Sequence, residues 1–412
     1  MAALALLAGL VAVSQLVLLL APRRRWPGEW RVPTVAPSTR PDRGDAVVAI
    51  VPARNEAAVL PATLPSLLDQ LGGTLRVVLV DDNSTDGTAA VARRVAEEHG
   101  ATERLTVLAA PPCPEGWTGK LHALDWGVRH APPESPESPE SPESPESAES
   151  GSTGAASWWL FTDADIAHRP GALAGLLAVA VGALAGAGGR DLVSVMARLR
   201  AESFWERLLI PPFVFFFQVL YPFRQVSRPP SDGASVAAAA GGCVLLRRES
   251  LAAIGGLAAL RGAVIDDVTL ARRVRDAGGR LWLGLDPGIT SVRRYGLADL
   301  WGMVARTAFT QLRHRWSLVL LVMLGLGVAY GVPLLATGLG LATATPLLTL
   351  TGLFAWTAAA IPCAPVVRYH RVPAWFALTL PFAAFLYGLM TLTSAIQHAR
   401  GRGARWKGRS YE

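Results

Sequence analysis

Leu75-Arg76-Val77-Val78-Leu79-Val80-Asp81-Asp82-Asn83-Ser84-Thr85-Asp86-Gly87-Thr88 joins a short apolar run to a polar, glycine-containing turn, and a helical period follows over residues 87–99. The same pattern recurs on both sides of it. Strand-like runs occupy residues 47–51, 75–80, 105–108, 158–161 and 192–195, with helical stretches at 57–71, 87–99 and 120–130 between the first four. Such alternation predicts an α/β fold with a mainly parallel sheet and helices on both faces. Ligands then bind beyond the carboxyl ends of the strands, so the polar residues that end each strand are where chemistry is expected.

The first strand ends in Pro52-Ala53-Arg54-Asn55-Glu56, the second in Asp81-Asp82-Asn83-Ser84-Thr85-Asp86-Gly87, and the fourth in Thr162-Asp163-Ala164-Asp165. Carboxylates gathered at one sheet edge repel and raise one another's pKa unless a cation lies between them. Asp163 and Asp165 can both reach one hard divalent ion, and oxygen ligands favour Mg2+ or Mn2+ over zinc. The Asp-Asn-Ser-Thr-Asp-Gly run also reads as a capped turn, since Ser84 and Asp86 are good N-cap types.

Lysine usage points to a further position. Of 39 basic residues only Lys120 and Lys407 are lysine. Lys120 follows Gly119 at a predicted helix start, where a compact positive charge can meet a phosphate. Asp266-Asp267 opens another helical period; a carboxylate there is either an N-cap or a general base. Gly241-Gly242-Cys243 ends an alanine run, and its glycines suit either close approach of backbone to a substrate or a simple turn.

Composition sets the surroundings. The chain has 412 residues, 51% hydrophobic and 17% charged, with a mean hydropathy of +0.32. That is too apolar for a purely soluble protein and excludes disorder of the whole chain. The net charge is +7, and basic residues cluster at 23–25, 293–315 and 400–409, each beside an apolar stretch. Membrane anchoring accounts for these clusters, and no nucleic-acid-binding pattern is present. Cys113, Cys243 and Cys363 are too far apart for a disulfide framework or a metal spacing and read as reduced.

Residues 2–21 carry no charge and are followed by Arg23-Arg24-Arg25, which suits a retained anchor at 1–22 better than a cleaved signal peptide. Residues 45–295 read as a cytoplasmic domain, 297–316 as an interfacial helix, 317–397 as C-terminal transmembrane helices (317–341, 347–367 and 373–396), and 398–412 as a basic tail. One plus three spans would put both termini outside and the basic tail on the wrong side. A re-entrant or interfacial segment would resolve this, and the sequence leaves the topology open. Residues 204–223, apolar but interrupted by Pro211 and Pro212, read as a helix pair on the membrane surface. The Glu-Ser-Pro repeat within 132–154 has proline at every third position and reads as a disordered loop.

Taken in order and spacing, the Pro-Ala-Arg-Asn-Glu segment, the Asp-Asp-Asn-Ser-Thr-Asp-Gly run, Asp163-Ala164-Asp165 and Asp266-Asp267 resemble the four landmarks of a family-two glycosyltransferase of the GT-A type. The N-terminal anchor, Gly119-Lys120, Ile265-Asp266-Asp267-Val268 and Trp406-Lys407-Gly408-Arg409 are similar to the membrane-bound branch associated with hopanoid biosynthesis. The resemblance implies a nucleoside-diphosphate sugar donor, a divalent cation (Mg2+ or Mn2+), inversion at the anomeric carbon and a lipid acceptor at the inner membrane. Carried over, Pro52, Arg54, Glu56, Asp81, Asp82 and Lys120 would bind the donor and Asp163 and Asp165 the metal. Asp267 would be the general base, with Asp266 standing where the family has Glu. Gly241, Gly242, Gln311, Arg315 and Trp316 would lie on the acceptor side. Processive synthases of the family carry Gln-x-x-Arg-Trp. Here Gln311-Leu312-Arg313-His314-Arg315-Trp316 has those residue types at another spacing, which favours transfer of a single sugar. A processive polysaccharide synthase and a non-catalytic nucleotide-sugar-binding module are the competing readings. A transporter is disfavoured because the apolar segments lack intramembrane charge pairs.

Overall fold

The computed structural model describes residues 1–20, 30–36, 46–132, 157–182, 188–233, 235–401, 404–406 and 409–411. The Glu-Ser-Pro repeat and Arg23 to Arg25 lie outside the described residues. Eight strands form one sheet: β1 Val47–Ala53, β2 Arg76–Asp81, β3 Leu105–Ala109, β4 Trp158–Thr162, β5 Ile166–His168, β6 Leu192–Arg198, β7 Cys243–Arg247 and β8 Leu281–Ser291. Their spatial order is β3-β2-β1-β4-β7-β6-β8-β5.

The first four strands are mutually parallel. Their residues alternate between two buried faces: Ala49, Val51, Val77 and Leu79 pack toward the helices Leu60–Leu68 and Thr88–Glu98. Val48, Ile50, Val78 and Val80 pack toward the helices Gly119–His130 and Asp266–Asp276. Burial on both sides explains why these strands are near-continuous apolar runs. The other half is mixed. β7 runs antiparallel to both β4 and β6, β8 runs parallel to β6, and β5 runs antiparallel to β8. The expected mainly parallel sheet with helices on both faces is therefore present, with three strands, β5, β7 and β8, that the periodicity does not reveal.

Those three strands build the site edge. Because β7 is antiparallel, its start adjoins the end of β4, with Cys243 opposite Thr162. Gly241 and Gly242 thus lie beside Asp163. Ile166 pairs with Ser291, which brings Asp165 next to the chain leaving β8.

Residues 204–223 do not form a pair of helices broken at the prolines. One helix, Phe204–Leu220, runs through Pro211 and Pro212, and a short helix Phe223–Val226 follows. Two prolines remove two amide donors from the helix. It persists because Leu208 to Pro212 and Val214 are buried, packed in part against Leu300, Val304, Ala383 and Met390, and because the Tyr387 hydroxyl donates to the Leu209 carbonyl at 2.7 Å. Glu206 is a buried cap. It accepts from the Ser203 amide at 2.8 Å and the Tyr295 amide at 2.9 Å. Although burial opposes ionisation, these donors hold its carboxyl below the usual range.

Among the described residues, three helices are long and apolar enough to cross a membrane: Trp316–Ala342, Pro346–Tyr369 and Ala374–Ala399. They match the expected stretches to within a few residues. The first contains a π-turn at Gly327–Gly331. The N-terminal helix Ala2–Leu20 packs against Pro346–Ala360 and Val332–Ala342, with Ala8, Ala336 and Leu348 at the contact.

Candidate active site

The loop after β1 and the loop after β2 fix one another. The Ser84 hydroxyl accepts from the Asn55 amide at 3.0 Å, the Thr88 hydroxyl from the Glu56 amide at 2.9 Å, and the Asp86 carboxylate from the Ala57 amide at 3.0 Å. In return Asn55 Oδ1 accepts from the Thr85 amide at 2.8 Å. Ser84 and Asp86 therefore tie two loops together, beyond the local capping expected of them. Asn55 and Asn83 take left-handed backbone, φ 53° and 57°, a conformation asparagine tolerates better than most residues. Arg54 donates to the Asp82 carbonyl at 2.9 Å, and the Asp81 carboxylate accepts from the Ser84 amide at 2.9 Å.

The acidic groups meet two cations. Lys120 Nζ lies 2.6 Å from Asp163 Oδ1 and donates to the Gly241 carbonyl at 3.1 Å. The Gly241 amide donates to Asp267 Oδ2 at 2.8 Å, and the Val268 amide donates to Asp267 Oδ1 at 2.7 Å. Gly241 is thus a connector: a Cβ there would lie 3.2 Å from both Asp267 Oδ2 and Lys120 Nζ. The Gly242 carbonyl accepts from the Asp163 amide at 3.2 Å and the Thr162 hydroxyl at 3.1 Å.

Burial and the neighbouring Asp266 carboxylate push Asp267 up to about 6, against the opposing pull of Lys120 and its two amide donors. Burial also raises Asp163, with Asp165 adding to the shift and Lys120 opposing it. Burial would lower Lys120, but Asp163, Asp266 and Asp267 outweigh it and hold the ammonium well above its ordinary value. A carboxylate poised near neutrality beside a cavity suits proton abstraction.

Arg293 is the second cation, and sequence reasoning missed it. Its Nη2 contacts Glu56 Oε1 at 2.6 Å and its Nε contacts Asp165 Oδ2 at 3.2 Å. Ser291 Oγ also donates to Asp165 Oδ2, at 2.6 Å. Glu56 and Asp165 are 7% and 6% exposed, so one guanidinium offsets two nearly buried acids from different strand ends. The basic cluster at 293–315 was expected to flank the membrane; its first member instead belongs to the strand-end site. Without the β5–β8 pairing, nothing in the sequence separates Arg293 from its basic neighbours.

One cavity of about 1180 Å³ joins these groups. Pro52, Arg54, Glu56, Lys120, Asp163, Asp165, Gly241, Gly242, Asp266, Asp267 and Gln311 line it, as does Arg293. Asp81 and Asp82 are not among its lining residues; Asp82 contacts the lining Arg54, and Asp81 holds the Ser84 amide. Arg315 and Trp316 do not line it either. They sit beyond the end of the helix Leu297–Gln311, where Trp316 packs against Phe309 with ring centroids 5.7 Å apart. Gln311 Oε1 accepts from the Tyr221 hydroxyl at 2.8 Å. From the acidic cluster the cavity extends to Phe213, Phe216, Phe217 and Tyr330 on the apolar helices.

Among the described residues no group of three or more His, Cys, Asp or Glu is placed to hold a metal ion. The two expected ligands differ. Asp165 Oδ2 is taken by Ser291 and Arg293, whereas Asp163 keeps 34% side-chain exposure and, among the described residues, pairs with Lys120. The donor chemistry, hard carboxylate oxygens in excess of nearby positive charge, fits a divalent cation.

The profile of the family described as "Glycosyltransferase like family 2" matches residues 44–312, and that of "Glycosyl transferase family 21" matches residues 231–412. No curated protein sequence matches the chain. Among solved structures, a mannosyltransferase from Pyrobaculum calidifontis, in complex with GDP-Man and Mn2+, is similar over 97% of this chain and 99% of that one. The identity is 21% and the TM-score 0.51, a likeness of fold. Glucosyl-3-phosphoglycerate synthase from Mycobacterium tuberculosis is 18% identical over 66% of this chain and 79% of that one, with a TM-score of 0.38. The family 2 match spans more than half of the sequence and contains every strand of the sheet, so the chain belongs to the glycosyltransferase 2-like family and is a nucleotide-sugar glycosyltransferase.

Proposed function

We propose that this protein is a membrane-bound, metal-dependent, inverting glycosyltransferase that moves one sugar from a nucleoside-diphosphate donor to a lipid, with hopanoids the acceptor class the sequence resemblance names. The observation that carries this reading is the single cavity running from Asp163, Asp267 and Lys120 to the aromatic side chains on the apolar helices. A polar donor and an apolar acceptor can meet there. The mannosyltransferase complex with GDP-Man and Mn2+, alike in fold, supports a nucleoside-diphosphate sugar and a divalent cation. The apolar helices support a catalytic domain, residues 45–295, held at the cytoplasmic face of the inner membrane by residues 1–22 and 317–397.

In this reading Pro52, Arg54 and Glu56 bind the nucleotide, with Asp81 and Asp82 beneath Arg54. Asp163, with Asp165 behind it, would hold the cation, which when bound stabilises charge on the departing diphosphate. Lys120 leaves Asp163 for the diphosphate oxygens. Asp267, aimed by the Gly241 and Val268 amides, takes the proton of the acceptor hydroxyl. The hydroxyl oxygen attacks the anomeric carbon opposite the leaving group, the sugar–phosphate bond breaks, and the configuration inverts. Asp266 raises the basicity of Asp267 by its charge.

The test is Asp267→Asn. Loss of a general base lowers turnover by about 10²–10⁴-fold, while nucleotide binding measured by calorimetry stays unchanged. Unchanged turnover would show that Asp267 is not the base, no turnover in the wild type would favour a non-catalytic binding module, and a polymeric product from the wild type would favour a processive synthase.

A further inference from the structure

Arg313, His314 and Arg315 precede the first long apolar helix, and His398 and Arg400 close the last one. In the fold they meet. The imidazoles of His314 and His398 stack with ring centroids 4.4 Å apart and an angle of 13°. Both approach the Phe309 ring at 5.3 Å, and the Phe309 amide donates to Ser394 Oγ at 3.0 Å. All five basic residues are exposed. Arg313 and His314 take left-handed backbone in succession, φ 53° and 54°, a conformation that non-glycine residues keep only where their surroundings hold it. Their amides donate to the Thr310 and Phe309 carbonyls at 2.9 and 3.0 Å, which turns both side chains out at the end of the helix Leu297–Gln311.

Acidic side chains do not offset this charge. The sequence has no Asp or Glu between Asp299 and Glu412, and Arg313, Arg315 and Arg400 form no ion pair among the described residues. The stacked rings also bear on topology. Each membrane crossing carries the chain about 30 Å, so an odd number of crossings between Arg315 and His398 would set the two rings that far apart. Contact between them requires an even number, so at least one of the three apolar helices would not traverse. Both basic ends then share one face, the face of the catalytic cavity, because the helix ending at Gln311 lines that cavity.

We propose that Arg313, His314, Arg315, His398 and Arg400 form one binding surface for anionic phospholipid headgroups on the catalytic side of the membrane. Guanidinium groups match phosphate oxygens in geometry and charge. Trp316, 44% exposed beside them, is the residue type found at headgroup depth. The proposal rests on the membrane-bound reading above but not on the sugar-transfer chemistry.

The experiment is thermal unfolding of the full-length, detergent-purified protein with phosphatidylglycerol, phosphatidylcholine or inorganic phosphate, for the wild type and for Arg313→Gln/Arg400→Gln. Phosphatidylglycerol should raise the wild-type midpoint by several degrees through preferential binding to the folded state. Phosphatidylcholine and phosphate should not, and the double variant should lose most of the shift. Equal shifts in variant and wild type, or with either control, would overturn the proposal. If the double variant is unstable without lipid, Arg400→Gln alone carries the same comparison. A C-terminal reporter found on the membrane face opposite the catalytic domain would overturn it as well. A nucleoside diphosphate with Mn2+ in the same assay reports on the donor site independently, so its failure counts against the enzyme reading and leaves the lipid surface standing.

Discussion

The two halves of the sheet contribute to the site in different ways. Strands β1 to β4 end in the side chains that chemistry would use: Arg54, Glu56, Asp163 and Asp165. Strands β5 to β8 and the residues beside them supply contacts that hold the acids: the Gly242 carbonyl on the Asp163 amide, and Ser291 and Arg293 on Asp165 and Glu56, while the Gly241 amide and carbonyl hold Asp267 and Lys120. The first half announces itself in local sequence. The second works through backbone groups and one arginine among many, and it holds the first in place.

The largest effect that would break this comparison is expected from Arg293→Ala. Removing one partner from a buried ion pair costs roughly 3–5 kcal/mol, and somewhat less here because the Arg293 side chain is 33% exposed. Glu56 and Asp165 would lose the guanidinium they share, so the unfolding midpoint should fall by several degrees and donor affinity should drop with it. Arg293→Lys should recover only part of either, because one ammonium cannot reproduce the two-sided contact of a guanidinium. Calorimetric binding of a nucleoside diphosphate and a melting curve decide the matter. An unchanged Arg293→Ala protein would mean that the second half of the sheet is only scaffold.

Gly241→Ala tests the backbone contribution. A methyl 3.2 Å from both Asp267 Oδ2 and Lys120 Nζ must push one of them away. Overpacking of this kind costs about 1–3 kcal/mol of stability, which lowers the melting temperature by a few degrees, and a displaced Asp267 should lower kcat/KM by up to roughly a hundredfold. Equal activity would show that the Gly241 contacts do not aim Asp267.

A smaller effect sharpens the comparison through pH. Asp267 must be ionised to accept a proton, and its carboxyl is pushed up to about 6. The profile of kcat/KM should therefore be flat above that value and fall about tenfold per unit below it. The linkage runs the opposite way for stability. A carboxyl raised in the folded state penalises folding once it ionises, above about pH 6, and the penalty vanishes as pH falls toward its ordinary range. Asp267→Asn should thus melt no lower than the wild type at pH 7 to 8, even as turnover is lost.

The legible part of the molecule was the part written in short range. Apolar runs of strand length, buried on both faces, marked β1 to β4 and β6, and polar residues at their ends marked the acidic cluster. Lysine scarcity singled out Lys120. The apolar helices followed from length alone, since nothing but a membrane or a large core accommodates such stretches. Residues 204–223 were misjudged because proline speaks against a helix locally, whereas burial of Leu208 to Pro212 against neighbouring helices decides the outcome. Arg315 and Trp316 were placed with Gln311 on the acceptor side by resemblance to the family's Gln-x-x-Arg-Trp, yet two left-handed residues between them turn the chain out of the cavity.

The sequence by itself thus determined the fold class, the apolar helices and the identity of the acids and the lysine, because each is encoded by residue type and period within a few neighbours. Only the tertiary structure decided which strands run antiparallel, that Arg293 rather than its neighbours joins Glu56 to Asp165, and that the basic ends of the first and last apolar helices touch. These depend on pairings between segments far apart in the chain, and long-range partners leave no local period to read.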